Sequence, residues 1–318
     1  MIYTLTFQPS IDYVVYVNQM DLGKTNRSSR ECVVFGGKGL NVSQVLHNLN
    51  VESVVLGFTA GFTGKEIERG MQANGCQTDF VHLEQGTSRI NVKIKSMSDG
   101  KMVNETEVNG SGPELHHEAV LEVLHKLDVL TPKDMVILAG TVPPSLEFED
   151  YQSILGKIHE TGADFVIDTT GIHLQEALRY HPLLIKPNQE ELGEIFHTQI
   201  HSKENAILYG RKLQSMGARN VLVSFAGEGA ILLTEQGYIL QRDAYPGMVV
   251  NSVGAGDSMV AGFIAGYLQE CEGQMDVSAM EQSAYERILR LAVTAGSATA
   301  FSEGLASGDV IWALLEQA

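Results

Sequence analysis

The sequence is poor in cysteine and in basic residues, and each shortage argues against a class of protein. Its 318 residues include three cysteines, which cannot all pair and which fall in no short metal-ligand spacing. A reduced, cytoplasmic setting is therefore expected. Lysine and arginine number 22 against 39 acidic residues, a formal net charge of −17. This balance argues against a nucleic-acid partner, because affinity for the phosphate backbone comes mainly from clustered cations.

Long hydrophobic runs are also missing. No segment approaches the roughly 18 uncharged apolar residues that cross a bilayer. The start of the chain has no basic lead, and Gln8, Pro9 and Asp12 interrupt its apolar run, so neither a membrane segment nor a signal peptide is expected. Apolar residues make up 44% and charged residues 19%, enough for a large core. We expect a single domain over residues 1–318 with a small appendage.

Short apolar runs alternate with amphipathic stretches over most of the chain. This alternation is typical of βα units around a parallel sheet and predicts an α/β fold with a mostly parallel central sheet. The predicted buried strands are 53–58, 134–139, 164–168, 183–186 and 220–224. The predicted helices are 40–49, 65–74, 114–127, 149–160, 188–196 and 205–216.

Two regions, about 11–35 and 87–107, break this alternation. Each suggests short strands joined by turns, and along 89–95 polar side chains alternate with aliphatic ones. We therefore expect a small β-sheet that projects from the main domain and is built from two separated pieces of chain. Such a sheet is a candidate lid over the site or a candidate surface for a homodimer.

A glycine-rich turn at 254–256 precedes an apolar helix. Gly254, Ala255 and Gly256 are small enough to leave their backbone N–H groups open, and a helix start of this kind attracts anions. Asp257 lies in the first turn. It either serves only the helix dipole or acts as a base that takes a proton from a hydroxyl while the amides hold a phosphoryl group.

A second glycine cluster, residues 36–41, follows a predicted strand and opens a helix. Alone it is weak evidence for a phosphate-binding loop, because glycines at strand-to-helix turns are often present only for steric reasons. Two better-defined phosphate motifs are absent from the sequence. A Walker A loop would need glycine where Thr59 stands and a hydroxyl where Glu66 stands. No GxGxxG follows a strand with an acidic partner about 20 residues on, which disfavours a flavin or NAD enzyme.

A third feature is Lys-Pro-Asn-Gln-Glu-Glu at 186–191, directly after an apolar strand. Pro187 ends the strand and Asn188 can cap the following helix, with Glu191 completing a capping box. The same two side chains could instead orient water and Mg²⁺ beside nucleotide phosphates. The residues alone leave both interpretations open.

Together these pieces resemble the ribokinase-like (PfkB) carbohydrate kinases over essentially the whole chain. Four stretches carry the resemblance in family order: GGKGLN at 36–41, DTTG at 168–171, KPNQEE at 186–191 and NSVGAGDS at 251–258. The resemblance implies a three-layer sandwich around the central sheet, with a small β lid. It also implies an ATP-dependent phosphotransferase that requires Mg²⁺ and acts on a hydroxyl group of a sugar.

The resemblance assigns roles residue by residue. Asp257 is the expected catalytic base, and 254–256 the expected anion hole. The residues expected to grip the sugar are Asp12, Gly37, Lys38 and Asn41. Those expected near ATP are Lys186, Asn188, Ser224, Gly227 and Gly229, with Glu191 near Mg²⁺ through water. The sequence departs from the family at Ser252, where threonine is common, and at Ala226, where glycine is usual.

The identity of the sugar depends on cations near the lid, because a sugar phosphate needs Arg or Lys in its pocket. Lys24, Arg27, Lys38 and Arg89 are the candidates, although a basic strand face is often simply solvated. Residues 87–93 and 251–261 are similar to bacterial 1-phosphofructokinases, which implies fructose 1-phosphate as acceptor and fructose 1,6-bisphosphate as product. Tagatose-6-phosphate kinase is the alternative, and a non-catalytic sugar-phosphate sensor is a further one.

Overall fold

The computed structural model describes residues 1–98, 101–271 and 280–317. The strands are β1 (Ile2–Thr6), β2 (Ser10–Val17), β3 (Arg30–Gly36), β4 (Ser53–Ala60), β5 (Gln77–Thr78), β6 (Val81–Leu83), β7 (Arg89–Ser98), β8 (Lys101–Asn109), β9 (Met135–Ala139), β10 (Asp164–Asp168), β11 (Leu184–Ile185), β12 (Asn220–Ser224), β13 (Ala230–Leu233) and β14 (Ile239–Arg242). The α-helices are α1 (Lys38–Asn48), α2 (Gly61–Ala73), α3 (His117–Lys126), α4 (Phe148–Thr161), α5 (Gly171–Leu178), α6 (Gln189–Ile195), α7 (Lys203–Ser215), α8 (Ala255–Glu270), α9 (Gln282–Ala300) and α10 (Gly308–Glu316).

The main sheet runs β14-β13-β12-β11-β10-β9-β1-β4-β5, and β6 also pairs with β4. From β12 to β4 neighbouring strands are parallel, whereas β13 and β14 add an antiparallel edge. Strand β9 is buried along its whole length, as expected for a parallel strand covered on both faces. From β1 the chain proceeds to β4 on one side and later to β9 on the other. The order therefore reverses between β1 and β9.

The sheet separates two apolar cores, which makes the fold a three-layer sandwich. In β9, Val136 and Leu138 point into one core, and Met135, Ile137 and Ala139 point into the other. The first core is closed by α3, α4 and α7, and the second by α1, α8 and α9. The predicted α/β fold with a mostly parallel central sheet is confirmed.

A separate four-stranded sheet, ordered β3-β2-β7-β8, forms the lid. Strands β2 and β7 pair in parallel although about 70 residues separate them, so the two predicted pieces of chain do meet. One lid face carries Asp12 opposite Asn91 in this register, and the other carries Tyr13 opposite Val92. The expected small sheet from two separated segments is confirmed.

Every predicted strand and helix of the main domain is present; strands 164–168 and 220–224 have the predicted ends, and the others are shifted. Helix α2 starts at Gly61 rather than at 65, because Thr63 donates to the Ser88 carbonyl and anchors a glycine-containing turn that is weak by propensity. Helix α5, strand β1 and the edge pair of β13 with β14 were not predicted. Strand β1 was missed because its polar threonines interrupt the apolar run, although Thr4 and Thr6 are buried.

Candidate active site

A cavity of about 290 Å³ opens between the carboxyl edge of the main sheet and the lid. Loops after β1 and β9 and the start of α1 form one side, and β2 and β7 of the lid form the other. Ligands of open parallel sheets bind where the strand order reverses, which here is between β1 and β9. Six residues predicted from sequence line the cavity: Asp12, Gly37, Lys38, Asn41, Arg89 and Asp257.

Helix α8 begins at this cavity, and of its first amides that of Ala255 already donates to the Ser252 carbonyl at 3.2 Å. Gly254 precedes it with φ of 81°, and a Cβ there would lie 2.6 Å from the Leu305 side chain, so the turn requires glycine. The first amides of a helix have no partners within the helix, and the dipole adds positive potential at the same place. Gly254 and Gly256 therefore offer an anion site directly beside Asp257, whereas the expected third amide, that of Ala255, is used within the turn.

Asp257 is buried at 7% exposure, and Asn41 Nδ2 donates a hydrogen bond of 2.7 Å to its Oδ2. Burial, followed by the negative charge of Asp168, raises the pKa of Asp257 to about 6, against the opposing effects of Asn41 and two lysines. Such a carboxyl group is ionised at neutral pH and is a better proton acceptor than an ordinary aspartate. Its position and its pKa suit a general base.

Asp168, the last residue of β10, lies between two lysines. Lys38 Nζ is 3.0 Å from Oδ1, and Lys186 Nζ is 3.8 Å from Oδ2. Burial alone would raise the pKa of Asp168, but the charges of Lys186 and Lys38 hold it below its ordinary value. A Cβ at Gly256 would lie 3.1 Å from Lys186 Nζ, which places this ammonium over the first turn of α8. Positive charge therefore converges on the anion site.

The lid contributes a polar corner around Asp12. Ser10 Oγ and Asn91 Nδ2 each donate to Asp12 Oδ1 at 2.8 Å, and Lys93 Nζ lies 3.1 Å from Oδ2. Ser10, Asn91 and Lys93 were not predicted as site residues. The signal for Asn91 and Lys93 was the alternation along 89–95, in which only Arg89 was given a role; Ser10 lies outside that stretch.

Arg89 lies beside this polar group of side chains and is available to bind a ligand. Within the described ranges no ion pair joins it to a carboxylate, and its Nε is buried without a hydrogen-bond partner. Burial lowers the pKa of Arg89, and the charge of Asp12 only partly offsets that effect. A half-buried guanidinium in a cavity wall is suited to a doubly charged phosphate, which it can bind through two parallel hydrogen bonds.

On the other side of Asp168, Asn188 and Glu191 form a capping box at the start of α6. The Glu191 amide donates to Asn188 Oδ1, and the Asn188 amide donates to Glu191 Oε2, both at 2.8 Å. The capping interpretation is confirmed. The second carboxylate oxygen of Glu191 lies 3.9 Å from Lys38 Nζ, so the cap does not use the whole side chain. The magnesium interpretation stays a prediction.

Ser224 ends β12 and bridges to Asn188, which brings the next loop beside the capping box. Gly227 lies in a short helical turn, and Gly229 follows it with φ of 89°. Ala226 has φ of 47°, a left-handed conformation that costs an alanine about 1–2 kcal/mol. Ala226 therefore has the left-handed backbone conformation that the expected glycine would adopt without strain.

Of the predicted sugar-binding residues, two do not line the cavity. Lys24 and Arg27 are exposed in the loop between β2 and β3. Lys24 lies 3.3 Å from Asp21, and Asn26 bonds to the backbone of Asp21 and Lys24. These local bonds fold the loop onto itself. Neither side chain lines the cavity of its own chain, and the assignment of Lys24 and Arg27 to the substrate stays a prediction.

The comparisons with known proteins agree with this geometry. Residues 6–311 match the family model described as pfkB family carbohydrate kinase. The chain belongs to this family. It is 42% identical to a 1-phosphofructokinase of Bacillus subtilis (strain 168), over 100% of this chain and 98% of the relative. It is 35% identical to a D-tagatose-1-phosphate kinase of Bacillus licheniformis, over 98% of this chain and 95% of the relative.

Solved structures show the same fold. Escherichia coli phosphofructokinase-2 superposes with a TM-score of 0.87 at 23% identity, over 99% of this chain and 98% of the other. Arabidopsis thaliana ribokinase superposes with a TM-score of 0.77 at 19% identity, over 99% and 98%. The fold is ribokinase-like, and the protein is a PfkB sugar kinase, a phosphotransferase that uses ATP and an alcohol acceptor. None of the helices in the described residues is long and apolar enough to cross a membrane.

Proposed function

We propose that this kinase transfers the γ-phosphoryl group of ATP to the 6-hydroxyl of fructose 1-phosphate, which yields fructose 1,6-bisphosphate and ADP. One arrangement carries the proposal: a buried base at a helix N-terminus, Asp257, shares a cavity with Arg89, a half-buried cation that has no carboxylate partner in the described residues. The base suits the reacting hydroxyl, and the cation suits a phosphate already on the sugar. The name of the relative from Bacillus subtilis supports this acceptor.

The chemistry follows from the groups around α8. Asp257 accepts the proton of the sugar hydroxyl while the hydroxyl oxygen forms a bond to the γ-phosphorus. At the same time the bond between the γ-phosphorus and the β–γ bridging oxygen breaks, and ADP leaves. The amides of Gly254 and Gly256 and the ammonium of Lys186 face the charge that spreads over the transferring oxygens. Asn41 holds the carboxylate of Asp257 in place through its 2.7 Å hydrogen bond.

The nucleotide is proposed to lie along Lys186, Asn188, Ser224, Gly227 and Gly229. Asp168 Oδ2 is buried without a hydrogen-bond partner, and one oxygen of Glu191 is left over from the cap, so hard oxygen donors that suit Mg²⁺ are present. In the described residues no group of three or more His, Cys, Asp or Glu could cage a metal. A magnesium ion held mainly by water and phosphate fits these donors and would neutralise phosphate charge.

Turnover measured on four acceptors tests the proposal. With ATP and Mg²⁺, ADP release is measured on fructose 1-phosphate, fructose 6-phosphate, tagatose 6-phosphate and tagatose 1-phosphate. We expect the highest kcat/KM on fructose 1-phosphate. A higher value on either tagatose phosphate would overturn the assignment of the sugar, and sugar-phosphate binding without ADP release would identify a non-catalytic sensor.

A matched variant checks the phosphate contact. Arg89→Met keeps the length and the apolar stem of the side chain but removes its charge. We expect KM for fructose 1-phosphate to rise by about 10- to 100-fold, since a hydrogen bond to a charged group contributes about 1.5–3 kcal/mol. KM for ATP should stay within about threefold. Equal effects on both constants would show that Arg89 does not bind the substrate phosphate.

We further propose that the whole chain is a single kinase domain that forms a homodimer through the lid. The lid face away from the cavity carries one apolar row across all four strands: Val33, Tyr13, Val92 and Val108. Val33 and Val108 are 51% and 61% exposed. A second copy of the chain would cover this row. The thiols of Cys32 and Cys76 support a reduced, cytoplasmic setting.

A further inference from the structure

Lys93 occupies an unusual place in the lid, because it is a buried cation facing the sugar cavity. It lies in the middle of β7 and is only 9% exposed. Its Nζ is 3.1 Å from Asp12 Oδ2 and 3.6 Å from Glu107 Oε1. Unlike Arg89, which has no carboxylate partner in the described residues, Lys93 is committed to two. Its role therefore differs from that of a free phosphate ligand.

The hydrogen bonds of Asp12 show how the ion pair with Lys93 affects its carboxylate. A carboxylate has about four acceptor positions. Ser10 and Asn91 fill two of them at Oδ1, and Lys93 fills one at Oδ2. One acceptor position at Oδ2 is left, on a residue that lines the cavity. Asp12 can therefore accept one further hydrogen bond from a ligand.

The surroundings also prevent Asp12 from turning away. A Cβ at Gly36 on the neighbouring strand would lie 2.7 Å from Asp12 Oδ1, so the backbone of β3 closes that side. Burial alone would lower the pKa of Lys93, but Asp12, Glu107 and Glu105 raise it above its ordinary value. Lys93 thus keeps its proton and acts only as a donor. It holds Oδ2 in one orientation.

We propose that Lys93 is a positioning residue that fixes Asp12 so that it accepts a single hydroxyl of the sugar. Lys93 acts through Asp12 and touches neither phosphate group. The inference rests on the proposed function, because the ligand hydroxyl belongs to the sugar phosphate of that reaction. It assigns recognition of the sugar ring to the Lys93–Asp12 pair and recognition of its phosphate to Arg89.

Steady-state kinetics of Lys93→Met test the proposal, with Lys95→Met as the matched control. Lys95 is a buried lysine two residues further along the same strand face, and it pairs with Glu105 rather than with Asp12. We expect Lys93→Met to raise KM for fructose 1-phosphate by about 10- to 100-fold. KM for ATP should change by less than about threefold in both variants. Lys93→Arg, which keeps the donor, should recover about tenfold of the loss.

A double-mutant cycle asks whether Lys93 acts through Asp12. Once Asp12→Asn has removed the charged acceptor, the further change Lys93→Met should cost less than about threefold in kcat/KM. Independent, multiplying losses would overturn the proposal. If Lys93→Met does not fold, as judged by circular dichroism and thermal melting, Lys93→Gln takes its place in the same cycle.

Fructose without a phosphate separates positioning from a direct phosphate contact. If Lys93 positions Asp12, its substitution lowers kcat/KM on fructose by the same factor as on fructose 1-phosphate, whereas Arg89→Met loses its effect on fructose. If Lys93 binds the phosphate, its effect disappears on fructose as well, and the proposal fails. Absence of wild-type turnover on every sugar phosphate would overturn the proposed function together with this inference. Equal kinetics of Lys93→Met and Lys95→Met would overturn the inference alone.

Discussion

At the scale of single residues, the site depends on two carboxylates with opposite electrostatic surroundings. Asp168 lies between Lys38 and Lys186, and its pKa stays low despite burial. Asp257 is also buried but has Asp168 as a negative neighbour, so its pKa rises to about 6. Because the pKa values of these two nearby carboxyl groups are moved apart, Asp168 stays ionised whereas Asp257 can accept a proton near neutral pH. The proposed mechanism uses that difference.

The pKa of Asp257 predicts an acid limb in the pH profile. A general base works only when ionised, so kcat/KM for the sugar should fall tenfold per pH unit below about pH 6 and level off above it. An aspartate with an ordinary pKa would place this limb near pH 3.8. Initial rates between pH 4.5 and 8.5, with the enzyme checked for stability at each pH, measure it.

Asp257→Asn is the control for this assignment, because it keeps the shape of the side chain and removes the base. Its kcat should fall by about 10²- to 10⁴-fold, with KM values largely unchanged. Its remaining activity should lack the acid limb. A variant that keeps the wild-type limb would show that another group titrates near pH 6.

At the scale of elements, the site is assembled from the ends of strands and the starts of helices. Asp168 ends β10, Ser224 ends β12, and Asp257 lies in the first turn of α8. Because parallel strands point the same way, their carboxyl ends bring these short polar segments to one edge. The close packing of α8 against α9 fixes the position of the first turn of α8 relative to the sheet edge. At Gly262 of α8 an added Cβ would lie 2.7 Å from the Leu291 carbonyl of α9.

The loop after β12 offers a test of backbone strain. Ala226→Gly should raise the free energy of unfolding by about 0.5–1 kcal/mol, because relief of left-handed strain exceeds the added chain entropy. This corresponds to a Tm increase of about 1–3 °C. Ala244→Gly, at a nearby loop alanine outside the left-handed region, should lower Tm instead. Calorimetry on both variants measures the contrast, and a drop in both would contradict the strain at Ala226.

At the scale of the whole molecule, the lid is the part whose outward face remains uncovered. Its polar face closes the sugar cavity, and its opposite face exposes Val33 and Val108. Isolated exposed valines are ordinary, but a row across four strands is a typical contact surface. The net charge of −17 belongs to the surface as a whole and does not prevent an apolar contact of this kind.

Sedimentation velocity tests the proposed dimer. The wild-type chain should sediment at about twice its 34.6 kDa, and the double variant Val33→Glu with Val108→Glu should sediment as a monomer. Val129→Glu is the control, since Val129 is 64% exposed but lies after α3 in the main domain. A monomeric wild type, or equal effects of the lid and control variants, would contradict the lid interface.

The fold class, the lid as two separated segments, and the polar stretches that contain Asp168, Asn188 and Asp257 could all be predicted from the sequence alone. Local periodicity and short motifs carry that information, since they depend on neighbours in the chain. Which cations face the cavity depends instead on how distant parts of the chain pack together. Lys24, Arg27 and Arg89 look alike as residues, yet only Arg89 lines it. The Lys93–Asp12 pair likewise exists only because β2 and β7 meet in register across about 70 residues, a pairing that no local pattern specifies.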